Sequence, residues 1–143
     1  MLIWQMNRAD LQILAGERLA DAELLYANGR FGAAYYLAGY AVECALKACI
    51  AKLTKAEDFP IKNSTNTVYI HDLRKLAAVA GVEAAIAQLA KNDQAFETNW
   101  ALVTLWSEES RYDRYVDQQL AKFMVDAVSD PRYGVLHCIK QYW

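Results

Sequence analysis

The stretch Gly32-Ala-Ala-Tyr35-Tyr36-Leu-Ala-Gly39-Tyr40-Ala-Val-Glu43-Cys-Ala-Leu-Lys47-Ala48 decides the fold. It reads as a helix that is apolar almost all the way round, with one narrow polar stripe. At about 100° per residue, Tyr36, Tyr40, Glu43 and Lys47 fall within about 60° of one another. The other faces carry Ala, Gly, Leu, Val, Cys and Ile. A helix that is hydrophobic all round is buried or spans a membrane. Burying a carboxylate and an ammonium is costly unless they pair, and Glu43 and Lys47 have the i,i+4 spacing to do so. The stretch is therefore expected to be the central helix of a bundle, its polar stripe turned toward a site or a partner.

At 143 residues the chain suits a single domain over 1–143, large enough to bury roughly two-thirds of its unfolded surface. The net charge of −2 argues against nucleic-acid binding through overall charge, and no DNA partner is expected, although a local basic patch stays open. Only 2 Pro and 6 Gly interrupt it, so most of it can be helical. Met1-Leu2-Ile3-Trp4 is too short an apolar run for a signal peptide and lacks a basic leader. The run from Phe31 to Leu53 has the length of a membrane span, but Glu43, Lys47 and Lys52 interrupt it, so no membrane helix is expected. Cys44 and Cys49 lie about 140° apart on one helix and cannot bridge each other. Three thiols without ligand spacing suit the reducing cytosol and buried, inert roles. Without a secretion signal the sequon Asn63-Ser64-Thr65 is a coincidence of sequence.

Outward from the central helix, a first helix is expected from Asn7 or Asp10 to Tyr26 or Ala27, stopped by Asn28-Gly29. Its stripe is Leu11, Leu14, Ala15, Leu19, Ala22, Leu25 and Tyr26, with Arg18 in its middle. Arg18 either reaches the Glu43 stripe of the antiparallel neighbour or snorkels at the bundle edge. The second helix covers roughly Arg30 to Thr54. Lys55 to Ile70 has no period and reads as a long loop, either functional or mobile. His71-Asp72-Leu73 opens a short helix stopped by Gly81, and Val82 to Lys91 forms another. Phe96, Trp100 and Val103 mark the next, and Ser107 to Tyr115 loops out. Val116, Leu120, Phe123, Met124 and Ala127 mark a helix ending at Ser129. Asp130-Pro131 is expected to cap a last one, with Val135, Cys138, Ile139, Tyr142 and Trp143 on one side. No strand-like alternation of any length occurs. The fold class is all-α.

Conventional catalytic parts are few. No Cys-x-x-Cys, His-x-x-x-His or Glu-x-x-His spacing accompanies the two histidines, so no metal or other cofactor is expected. His71 stands where a helix begins, which points to capping or to a bond with the preceding loop; His137 reads as structural. Two features remain. One is the Tyr36/Tyr40/Glu43/Lys47 stripe. The other is Trp106-Ser-Glu-Glu-Ser-Arg111-Tyr112-Asp113-Arg114-Tyr115, which joins two guanidiniums to three aromatics. Such a mixture suits a nucleotide or a single RNA strand, through bidentate phosphate contacts and base stacking. It also suits a loop knitted by Arg–Glu salt bridges with its aromatics tucked onto the core.

Taken together, these blocks resemble the HEPN domain family, small helical proteins of prokaryotes often found beside minimal nucleotidyltransferases. The resemblance runs through Arg18-Leu-Ala-Asp-Ala-Glu23, Gly29 to Ala48, His71-Asp72-Leu73-x-x-Leu76, Trp106-x-x-x-x-Arg111-Tyr112 and Gly134 to Trp143. It implies an up-and-down bundle of four to six helices that dimerises. In active members it further implies a metal-independent ribonuclease site at the dimer cleft, built from an arginine followed after four to six residues by a histidine. Arg111 can take the arginine's place, but positions 116–118 hold Val, Asp and Gln; for Arg114, positions 119–121 hold Gln, Leu and Ala. Cleavage by the RNA's own 2′-hydroxyl wants a group that exchanges protons near neutral pH. Arginine stabilises phosphorane charge but cannot shuttle protons.

The leading expectation is thus a HEPN-like homodimer with a degenerate ribonuclease motif and no assigned catalytic residue, binding RNA, a nucleotide or a nucleotidyltransferase partner. Arg111, Tyr112, Arg114, Glu43, Lys47 and His71 are the candidate binding residues. The first alternative is an active endoribonuclease toxin in which Glu43, Lys47, Tyr112 or His71 replaces the missing base. The second is a non-enzymatic dimeric adaptor.

Overall fold

Small residues at helical spacing let the second helix pass through the centre of the molecule, and the computed structural model, which describes residues 6–53 and 70–143, places it there. In chain order the α-helices are α1 (Arg8–Ala27), α2 (Phe31–Lys52), α3 (Leu73–Val79), α4 (Glu83–Asn92), α5 (Gln94–Val103), α6 (Gln118–Ser129) and α7 (Val135–Lys140), with a 3₁₀ turn (Glu108–Tyr112) between α5 and α6. The described residues contain no strand, so the bundle is all-α. Among the described residues, seven helices exceed the four to six implied by the resemblance because Gly81 and Asp93 divide the stretch before the 3₁₀ turn into short segments.

Helix α2 packs against α1, α3, the 3₁₀ turn, α6 and α7, and every residue from Ala41 to Ala51 is buried. Alanines 34, 38, 41, 45 and 48 are wholly enclosed, as are Ala15 and Ala22 of α1, so the two backbones can approach closely. The Asn28-Gly29 stop behaves as expected. Gly29 takes φ 77°, Gly29 N–H donates to Tyr26 and Arg30 N–H to Leu25, a Schellman turn that sends α2 back along α1. Gly81, at φ 76°, ends α3 in the same way.

Of the two readings of Arg18, the reach to Glu43 is not realised; it pairs within α1 with Asp21 at 2.8 Å. Two expectations change. The segment after Trp106 does not simply loop out, because Ser107 caps a 3₁₀ turn by accepting from Glu109 N–H. Asp130 does not cap the last helix. Its carboxylate accepts from the backbone N–H groups of Arg132 and Tyr133, forming the corner that precedes α7, whose N-cap is Gly134. Leu120 and Phe123 of α6 are exposed, while Met124, Val125 and Val128 carry its packing. The 55–69 part of the expected loop, the Asn63 sequon and Met1–Trp4 lie outside the described residues.

Candidate functional site

Glu43 and Lys47 are the two buried charged side chains of the described residues. Lys47 Nζ donates to Glu43 Oε2 at 3.1 Å, as their spacing predicts. The other carboxylate oxygen, Oε1, lies 3.0 Å from His71 Nδ1, and His71 Nε2 lies 3.1 Å from Glu108 Oε2. A continuous polar chain Lys47–Glu43–His71–Glu108 therefore runs from the middle of α2 to the surface. Both oxygens of the buried Glu43 carboxylate are engaged, which offsets the desolvation that would otherwise expel it.

His71 is not a helix cap. Asp72 holds that position, accepting from Lys75 N–H at 3.0 Å. An aspartate is the better cap, and with Asp72 in that place His71 stands one residue outside the helix, free to point back over α2. A neutral imidazole has one donor nitrogen and one acceptor nitrogen, whereas ionised carboxylates only accept. Both contacts of His71 are hydrogen bonds together only when the ring is an imidazolium donating from each nitrogen.

The 3₁₀ turn is seated by Trp106, which is 3% exposed. Its indole N–H donates to the Tyr36 carbonyl at 3.1 Å, and its ring stacks on Tyr36 at 5.9 Å. Tyr36 in turn stacks on Tyr40 at 6.0 Å. Gly39 makes the seat, since a Cβ there would overlap the indole. Beside Trp106 a surface pocket of about 280 Å³ is lined by His71, Asp72, Trp106, Ser107, Glu108 and Glu109.

Arg111 closes the constellation. Its guanidinium lies 4.9 Å from the Tyr112 ring centroid, near enough to the Tyr36 hydroxyl to act on it electrostatically. Burial raises the Tyr36 hydroxyl above its ordinary pKa, and Arg111 partly opposes that rise. Tyr40 is raised further, chiefly by burial. The Cys44 thiol is pushed up to about 12 by burial and the Glu43 charge. Cys49 and Cys138 rise to about 11, again through burial. None is a thiolate nucleophile at neutral pH.

The structure thus brings Glu43, Lys47, His71 and the Tyr36 edge together, with Arg111 and Tyr112 beside them. Arg114 lies exposed past the turn and joins none of these groups by an ion pair or hydrogen bond. Trp106 belongs to the segment the residue pattern singled out, but Glu108 was given no role there as a partner of His71. The i,i+3 pair Glu108/Arg111 was open to the reading of a salt-bridged loop, but Glu108 bonds His71 instead. Among the described residues no three His, Cys, Asp or Glu side chains converge to hold a metal, and no helix is long and apolar enough to cross a membrane.

The sequence profile of the HEPN domain matches residues 13–130. The chain belongs to the HEPN family. The match spans α1 through α6, so the polar chain and the Arg111 turn both lie inside the HEPN domain. No curated protein and no solved structure gave a match.

Proposed function

We propose that this HEPN domain binds the phosphates of RNA or of a nucleotide at the surface formed by His71, Arg111 and Tyr112, with Arg114 at its edge. One observation carries the reading. Arg111 is a solvent-facing guanidinium stacked over Tyr112, on the same 3₁₀ turn whose Glu108 meets a histidine anchored by its other nitrogen to a buried carboxylate. Guanidinium and imidazolium both suit phosphate oxygens, and the exposed Tyr112 ring, 72% accessible, offers a stacking face. Glu43 and Lys47 lie too deep to touch a ligand and act by orienting His71. The domain works as a homodimer, with Tyr115 and Phe123 among the exposed aromatics available to a second copy. It belongs to the nucleotidyltransferase-associated branch, on the blocks that resemble it.

The experiment is fluorescence anisotropy with labelled single-stranded RNA, and competition by AMP. Arg111→Ala is expected to weaken binding about tenfold or more, the worth of a charge-assisted phosphate contact. Equal affinity in wild type and variant would reject the site.

A second reading, an active endoribonuclease, is favoured by one specific feature. In this reading His71, held by Glu43 and linked to the Arg111 turn through Glu108, would take the place of the histidine absent after Arg111. That geometry is what a general acid or base requires. Cleavage abolished by His71→Gln and by Arg111→Ala would establish it; RNA bound but left intact would leave the binding role alone.

A further inference from the structure

The outer end of the polar chain holds an anion against His71, and that anion is the protein's own. Glu43 fixes Nδ1, so the ring turns its second nitrogen, Nε2, outward. Glu108 Oε2 meets it at 3.1 Å. The Glu108 side chain is 39% exposed and that of His71 32%, so the contact lies at the surface beside the pocket. In a 3₁₀ turn residues i and i+3 eclipse, which puts Glu108 and Arg111 on one side of the turn. Both act on the Tyr36 hydroxyl, Arg111 lowering its pKa and Glu108 raising it. The i,i+3 spacing would allow Glu108 to pair with Arg111. Its carboxylate goes to His71 instead, and Arg111 lies over the Tyr112 ring.

We propose that Glu108 is an intramolecular stand-in for phosphate: a phosphate ester displaces its carboxylate from His71 Nε2 and is then held between His71 and Arg111. This rests on the binding function proposed above and names its subsite and its built-in competitor. The carboxylate presents two oxygens where a phosphate would present its own, and both groups accept from the same N–H. Glu108 also sets a threshold, because its charge, with those of Asp72 and Glu109 on the same pocket, repels anions that cannot reach Arg111 as well.

The test is titration of the full chain with three probes: inorganic phosphate, AMP, and a labelled single-stranded oligouridylate without terminal phosphates. The last two separate a nucleotide monoester from an RNA diester. Glu108→Gln keeps the shape and removes the competing charge, and is expected to tighten binding of at least one ester about tenfold. Glu109→Gln removes the same charge one residue away and is expected to change affinity less than about threefold, the share of the general field. In a His71→Phe background Glu108→Gln is expected to give no gain beyond that of Glu109→Gln. On adding the tighter-binding probe to wild type, the ¹⁵N resonance of His71 Nε2 is expected to move, which a merely structural histidine would not show.

Weaker binding by Glu108→Gln, or a gain equal to that of Glu109→Gln, would overturn the stand-in while Arg111→Ala still reported on the binding function. Binding by Glu108→Gln where wild type shows none would support it strongly. Absence of binding in both proteins would overturn the stand-in and the binding function together. Glu108 is a surface residue, so folding of its variant is not at issue, and far-UV circular dichroism checks the His71→Phe background.

Discussion

Gly39→Ala tests the packing that presents the site. In most exposed helix positions this change would stabilise by about 1 kcal/mol, because glycine is a poor helix former. Here the added Cβ falls inside the Trp106 indole, at Cγ, Cδ1 and Nε1, well under the 3.0 Å that real Cβ contacts essentially never breach. Those atoms belong to a rigid ring that is 3% exposed, so no flexible tip can swing aside. Moving the ring gives up its hydrogen bond to the Tyr36 carbonyl, about 1 kcal/mol. It also gives up much of the Tyr36 stacking, about 1 kcal/mol, and incurs overpacking strain of about 1–3 kcal/mol. Against the helix-propensity gain, a net loss of about 2–4 kcal/mol is expected. Urea unfolding followed by tryptophan fluorescence measures it. The decisive comparison is the same change in a Trp106→Leu background, where the clash is relieved and Gly39→Ala should be neutral or stabilising by up to about 1 kcal/mol. Equal destabilisation in both backgrounds would refute the role given to this pair, as would a neutral single variant.

Two further outcomes follow from the charged groups. Lys47→Met leaves the Glu43 carboxylate buried with His71 as its remaining side-chain partner, and is expected to cost about 3 kcal/mol, at the lower end for breaking a buried pair; Glu43→Gln added to it should recover part of that loss, read from the urea midpoint. Backbone N–H groups of Tyr133 and Arg132 hold the Asp130 carboxyl below its ordinary pKa. A carboxyl depressed in the folded state contributes stability that is present above its unfolded pKa of about 4 and is lost as pH falls through its folded value. Asp130→Ala should therefore lower the melting temperature near neutral pH and flatten its fall below about pH 4, compared with wild type in thermal melts.

The fold was legible because its determinants are local. Helix α2 announced itself by an apolar surface broken at one stripe, α1 by a seven-residue stripe, and the α1–α2 and α3–α4 turns by Gly29 and Gly81. The errors fall where two local signals compete. Asp130-Pro131 has the form of a helix start, but the Asp130 carboxylate is spent on the corner backbone. A Cβ at Gly134 would sit 2.8 Å from Val128 O and Asp130 N, so that corner is too tight for a side chain, and the helix begins only after it. His71 and Asp72 compete for one cap position, and the shorter acidic side chain takes it. Asp72 has the stronger capping preference, which leaves His71 outside the helix and able to take a distant partner.

The site is a matter of long-range pairing, and residue spacing reports only what lies on one element. Glu43 and Lys47 share a helix, so their bond could be read; His71 is 28 residues away and Glu108 a further segment on, so theirs could not. This has a consequence for how the missing histidine is understood. A motif written as arginine, spacer, histidine describes one way of bringing two cationic groups to a phosphate, through consecutive turns of a single segment. Here the arginine stands on the 3₁₀ turn and the histidine at the mouth of α3, and α2 joins them from beneath through Tyr36 and Glu43. The buried pair in α2, costly in any apolar helix, acquires a reason: Lys47 stabilises the carboxylate, the carboxylate orients the imidazole, and the imidazole is what reaches the surface. Under the proposed binding function, a motif lost from one segment would be shared between two elements, and the Glu108 and His71 variants decide whether the protein uses it.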